Sequence, residues 1–169
     1  MADQDFNQQN FNFNSLANSN SSVINYGKIN SNYVALISTN VQNKGEINTK
    51  TDLALTSGDN AKLAISADGK LSVKISDSTL QNLVENEGTL KSENGQVLIK
   101  ASAAKSLVEA TINSPSQKKK LISENGVLKL VANTGTIEGK DIKIDAGENG
   151  RVISSGTIDV SSDNSKAGS

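Results

Sequence analysis

A seven-residue phrase recurs along the chain: an aliphatic residue, a variable residue, Asn, another variable residue, Gly, one more residue, and a second aliphatic. It is read at Val23-Ile24-Asn25-Tyr26-Gly27-Lys28-Ile29, at Val41-Gln42-Asn43-Lys44-Gly45-Glu46-Ile47, at Val84-Glu85-Asn86-Glu87-Gly88-Thr89-Leu90 and at Val131-Ala132-Asn133-Thr134-Gly135-Thr136-Ile137. A fifth copy, Val152 to Ile158, carries Ser154 in place of Asn and keeps Gly156. The glycines fall in steps of 18, 43, 47 and 21 residues. These read as one coil, two coils, two coils with an insertion, and one coil of about 20 residues, the mark of a repeat architecture.

Between the phrases lie shorter segments with alternating apolar residues: Tyr33-Val34-Ala35-Leu36-Ile37, Leu53-Ala54-Leu55, Val97-Leu98-Ile99 and Ile142-Lys143-Ile144. Each is bounded by Gly, Asn or Asp and predicts a short strand. Strands of this length suit an all-β solenoid, in which each pairs with its equivalents in the coils above and below. The corner positions Asn25, Gly27, Asn43, Gly45, Asn86, Gly88, Asn133, Gly135 and Gly156 then have a physical task. Gly is expected to take a positive φ, and Asn to stack as a hydrogen-bonded ladder that stops where Ser154 replaces Asn133. The aliphatic residues at 23, 29, 41, 47, 84, 90, 131, 137, 152 and 158 are expected to fill the bore.

Other stretches depart from the phrase. Leu63 and Ile65, then Leu71, Val73 and Ile75, alternate around Asp68-Gly69, which predicts a hairpin-like pair or two β segments around one corner. Helical patches are expected at 77–84, capped by Asp77, and at 102–110, capped by Ser102. The domain reading is a loosely held segment over 1–22, repeats over 23–160 with a loop insertion at 113–120 that holds the only Pro, and a polar tail over 161–169. Phe6, Phe11 and Phe13 are spaced as though one strand pinned them onto a coil.

Charge narrows the function. Seventeen basic residues against 18 acidic ones leave a net charge of −1, and only Lys118-Lys119-Lys120 forms a basic run, so no nucleic-acid partner is expected. The chain has no Cys and no His, and Arg151 is its one Arg, which removes thiolate chemistry, imidazole catalysis and most metal and phosphate sites. No catalytic residue, cofactor or metal is therefore expected. The alternative is an enzyme acting on polysaccharides, for which Asp141, Asp145, Glu148, Asp159 and Arg151 are the candidates. Calcium binding by Asp141, Asp145 and Glu148 lacks the glycine-rich repeat that usually carries it. A third reading is a binding module acting through the loop at 113–120 and the two helical patches. No apolar run is long enough for a transmembrane helix, and Met1 to Asp5 is acidic and polar, unlike a signal peptide. The chain is thus expected to be either cytosolic or a piece of a longer exported protein.

The order of segments resembles the region after the secretion domain in two-partner-secretion exoproteins, the filamentous-haemagglutinin-like adhesins of Gram-negative bacteria. The residues that carry the likeness are Asp3-Gln4-Asp5-Phe6 with Phe11-Asn12-Phe13, the phrases at 23–29 and 41–47, Tyr33 to Ile37, Leu53-Ala54-Leu55 and Gly58-Asp59. The Asp68-Gly69 stretch, Leu83 to Gly88 and Ala101 to Ala104 continue it. After Ala110 the chain departs from the pattern, with a Pro- and Lys-containing loop in place of the next coil. The resemblance implies a right-handed parallel β-helix, secretion to the cell surface through an outer-membrane transporter partner, and a non-catalytic role as the shaft of an adhesin or a toxin-delivery stalk. It names no host or bacterial receptor.

Overall fold

The computed structural model describes residues 10–14, 21–76, 83–103 and 128–160. Among them the chain is all-β, with seventeen strands and no helix, so none of its elements is a helix able to cross a membrane. Four strand sets emerge, three of them entirely parallel.

The parallel sheets are filled in rotation. β2 (Ser22–Asn25), β3 (Lys28–Ser31) and β4 (Val34–Ser38) form the first repeat, and β5 (Asn40–Asn43), β6 (Glu46–Thr49) and β7 (Leu53–Ser57) the second. β10 (Leu83–Asn86), β11 (Thr89–Ser92) and β12 (Gln96–Ala101) make the third, and β13 (Leu128–Asn133), β14 (Thr136–Glu138) and β15 (Asp141–Asp145) the fourth. β16 (Gly150–Ser154) and β17 (Thr157–Asp159) begin a fifth. The first strand of every repeat joins one sheet, in the order β16-β13-β10-β5-β2, the second joins another, β17-β14-β11-β6-β3, and the third joins the last, β15-β12-β7-β4.

The register keeps like beside like. Val23, Val41, Val84, Val131 and Val152 align across the first sheet, and Ile29, Ile47, Leu90, Ile137 and Ile158 across the second. In the third sheet Val34, Leu53, Val97 and Ile142 align, as do Leu36, Leu55, Ile99 and Ile144. A period of two makes such a register hard to slip, because a one-residue shift would turn every aliphatic row to water. These rows build the main core, in which Val41, Ile47, Leu53, Leu55, Val84, Leu90, Val97 and Ile137 are wholly inaccessible to solvent. Each fully buried aliphatic side chain contributes about 1.5–3 kcal/mol. The outermost members differ from the expected filling of the bore: Val152 and Ile158 are exposed, and Val23 and Ile29 are only half-buried, because no described repeat lies beyond them.

The steps of 43 and 47 residues between corner glycines are each a single repeat plus an insertion, not two coils. β5 pairs directly with β10, and β10 with β13. The first insertion folds outward as the antiparallel hairpin β8 (Asn60–Ile65) and β9 (Leu71–Ile75), with Ile65 opposite Leu71 and Gly69 at φ +79° in its turn. β1 (Asn10–Asn14) adds to it antiparallel, placing Phe11 opposite Leu63 and Phe13 opposite Ala61. The strand itself pairs with the hairpin and not with a repeat, but Phe11 packs on a cluster that holds both hairpin and repeat residues, while Phe13 is exposed.

A second core forms where this small sheet covers the outer face of the third parallel sheet. Ala54 and Leu98 point outward there and meet Leu63, Leu71 and Val73, with Phe11, Ala35, Ile37, Ile65 and Ile75 at the margin. That cover explains why β7 is buried at all five positions, whereas β15, in the fourth repeat, exposes Lys143 at the register position of Leu98. Of the expected helical patches, Leu83 and Val84 instead begin β10 and are buried. The rest of that patch, residues 104–110 of the other, Phe6, the loop at 113–120 and the tail at 161–169 lie outside the described residues.

Candidate functional site

The corner between the first and second sheets gathers the Asn and Gly positions into one line. Asn25 Nδ2 donates to Asn43 Oδ1 at 2.8 Å, Asn43 Nδ2 to Asn86 Oδ1 at 2.9 Å, and Asn86 Nδ2 to Asn133 Oδ1 at 2.8 Å. The line does not stop at Asn133, as the sequence led us to expect. Asn133 Nδ2 donates to Ser154 Oγ at 3.1 Å, since a hydroxyl at that register accepts as an amide oxygen does. Asn43, Asn86 and Asn133 are buried, so each amide is satisfied by its neighbours rather than by water.

The backbone repeats the arrangement. Lys44 N and Gly45 N donate to Asn25 O, Glu87 N and Gly88 N to Asn43 O, Thr134 N and Gly135 N to Asn86 O, and Ser155 N and Gly156 N to Asn133 O. Within each corner the amide also bonds locally: Asn25 Oδ1 accepts from Gly27 N, and Nδ2 of Asn25, Asn43 and Asn86 reaches the carbonyl of its own corner glycine.

The corner glycines serve close stacking, not a positive φ. Among the described residues only Gly69 and Gly147 have one. A methyl group on Gly45, Gly88, Gly135 or Gly156 would instead overlap the carbonyl oxygen of the corner glycine in the preceding repeat. At Gly88 it would also lie 2.9 Å from Gly45 C, and at Gly135 2.7 Å from Glu87 C. Backbone meets backbone here, and only a residue without Cβ permits the spacing.

Outside the corner, ion pairs join successive repeats: Lys28 to Glu46 at 3.0 Å, Lys44 to Glu87 at 3.1 Å and Lys91 to Glu138 at 3.1 Å. The hydrogen bond from Asn48 and the one from Lys28 hold the Glu46 carboxyl below its usual range, while Glu87 raises the Lys44 ammonium above its own. All six side chains reach solvent, so these pairs add little to stability.

Asp52 is the buried charge that sequence reasoning passed over. It sits just before β7, 3% exposed, and accepts from Leu71 N at 2.8 Å, Gln96 N at 3.0 Å and Gln96 Nε2 at 3.0 Å. One carboxylate thus ties the second repeat to the third and both to the hairpin. The only sequence signal was an acidic residue directly before a strand that opens on three apolar residues, Leu53, Ala54 and Leu55.

The acids considered for catalysis or calcium are committed elsewhere or spread out. Asp141 pairs with Lys143 at 3.4 Å within β15, and Asp145 Oδ1 accepts from Gly147 N at 2.8 Å to close a turn. Glu148, Arg151 and Asp159 are exposed, and among the described residues no three His, Cys, Asp or Glu side chains converge as metal ligands. Two open clefts border the hairpin. One, lined by Phe13, Ser21, Ile37, Gly58 and Asp59, is about 200 Å³; the other, lined by Asn32, Tyr33, Thr51, Ser66 and Asp68, is about 300 Å³. In the larger cleft the hydroxyls serve turns: Thr51 Oγ1 donates to Asn32 O, and Ser66 Oγ bonds the Asp68 carboxylate and accepts from Lys70 N. The arrangement therefore holds strands and turns in register.

Neither the protein-family models nor the curated proteins contain a match to this chain.

Proposed function

We propose that the three parallel sheets are the walls of a right-handed parallel β-helix, and that this helix is a non-catalytic shaft segment of a large bacterial surface adhesin. In this reading the parent protein leaves the cell by two-partner secretion through an outer-membrane transporter. The observation that carries the shaft role is the unbroken hydrogen-bonded line from Asn25 to Ser154, in which the most strongly patterned residues are spent on holding repeats together. The right hand follows from the strong preference of parallel β crossovers for that sense. Adhesin and export rest on the family resemblance of the segment order. A shaft of this kind suits export, because each emerging repeat finds a finished edge on which to pair.

The experiment places the chain behind a two-partner secretion domain in cells that make the matching outer-membrane pore. The expected result is a cargo that reaches the surface, where added protease removes it, while the purified chain leaves pectin- and chondroitin-like polymers intact. A cargo held in the periplasm would overturn the export reading. Cleavage of a polymer, lost in both Arg151→Ala and Asp145→Ala, would replace the shaft with an enzyme.

A further inference from the structure

Gly27 is the corner glycine for which the described residues show no steric use. A methyl group on any of the other four would overlap a preceding carbonyl, whereas one on Gly27 meets nothing nearer than Asn25 Oδ1, at 4.0 Å. Its φ lies outside the positive region, so its backbone does not require Gly either. Gly27 keeps open the notch into which another corner carbonyl fits.

The amide line is directional and ends in matching groups. Every Asn donates toward the next repeat, so at one end Asn25 Oδ1 receives no side-chain donor from a preceding repeat among the described residues. At the other end Ser154 accepts from Asn133 and keeps a hydroxyl proton to give.

The solvent-facing row of the first sheet shows the same complementarity. Its middle members Gln42, Glu85 and Ala132 are polar or small, and its end members are Ile24 and Ile153, 41% and 39% exposed. Exposed isoleucines at both edges of a sheet, and at one register position, match each other.

We propose that copies of this chain stack head to tail, with β16 and β17 of one copy pairing in parallel with β2 and β3 of the next. Ser154 would then meet Asn25, Gly156 O would enter the notch at Gly27, and Ile153 would lie against Ile24. Val152 and Ile158 would be covered by Val23 and Ile29, and the edges that have no partner strand among the described residues would be paired. The contact joins two different surfaces and does not close on itself, so it builds filaments. In the third sheet, β15 and β4 of the next copy are left one strand position apart, since the fifth repeat has no third strand among the described residues.

The test is sedimentation velocity of the purified chain over a concentration series, with electron microscopy of the heaviest fractions. The wild type is expected to form species that grow with concentration. Gly27→Ala, whose methyl group has room among the described residues, should melt like the wild type and lose those species, and Ile153→Lys should lose them independently. A wild type that stays monomeric throughout, as when the chain's own residues cover the edge, would overturn the proposal. So would assembly that persists in both variants.

Discussion

Replacing Asn86 by Ala removes the middle of the corner line. Asn86 Oδ1 accepts from Asn43 Nδ2 at 2.9 Å, and its Nδ2 donates to Asn133 Oδ1 at 2.8 Å, with longer bonds to Gly88 O and Thr136 O. The two short bonds are each worth about 1 kcal/mol net, and the buried Asn133 Oδ1 is left without its side-chain donor at a further cost of about 1–3 kcal/mol. Asn43 Nδ2 retains Gly45 O and Thr89 O, which limits the loss on that side. The expected destabilisation is therefore about 3 kcal/mol. Asn25→Ala removes one bond of the line and two within its own exposed corner, and leaves the buried Asn43 Oδ1 without its side-chain donor beside a half-buried end that water reaches, so it should cost less, about 2 kcal/mol. Urea titration followed by circular dichroism measures both, and the midpoint should fall with little change in slope. Equal losses for the two variants, or a loss below about 0.5 kcal/mol at Asn86, would refute the idea that the line stabilises in proportion to its burial.

Gly88→Ala forces its methyl group onto the Gly45 backbone and should cost at least about 3 kcal/mol, the upper range for overpacking, because Thr89 N to Gly45 O at 2.9 Å must lengthen; the same titration reads it. Asp52→Ala leaves Leu71 N and Gln96 N without their acceptor, and proteolysis should then cut the hairpin between β8 and β9 well before the repeats, whereas simultaneous loss of both would contradict its role as a tie. For pH, the Ser66 hydroxyl and then Lys70 lower the Asp68 carboxyl, as Asn48 and Lys28 lower Glu46, so their contributions are present above the ordinary carboxylate range and are lost as the pH falls through the depressed values. Lys44 is raised by Glu87, and its contribution is lost only as the pH climbs through that raised value. Thermal melts should accordingly form a plateau around neutral pH with shallow, salt-sensitive shoulders; a melting temperature that rises on acidification would contradict these signs.

The corner phrases were legible because two signals coincide in them. Aliphatic residues six apart face one core through a turn, and Asn two before Gly marks the turn itself. The alternating segments gave the third sheet for the same reason. The number of repeats was not legible, because the β8–β9 hairpin alternates apolar and polar residues as a repeat strand does, and its length imitates a coil. What separates the two is pairing partner, and pairing is tertiary. The task of the corner glycines was also hidden. A sequence shows that Cβ is absent, while the reason lies in a carbonyl 18 to 47 residues away. Asp52 gave still less signal, since its partners stand 19 and 44 residues off, in the hairpin and in the next repeat.

Because the chain has no Cys, an engineered pair can report the stacking without interference. Glu85 in β10 and Ala132 in β13 are register partners on the same face, across the second insertion. In-register neighbours in a parallel sheet lie about 4.8 Å apart, within the Cα range that a disulfide spans. Mild oxidation of Glu85→Cys with Ala132→Cys should give a near-complete internal crosslink, seen as a mobility shift reversed by reductant. Glu85→Cys with Val131→Cys, displaced by one residue to the opposite face, should give none. Crosslinking of the second pair in preference to the first would contradict the in-register stacking on which the shaft depends.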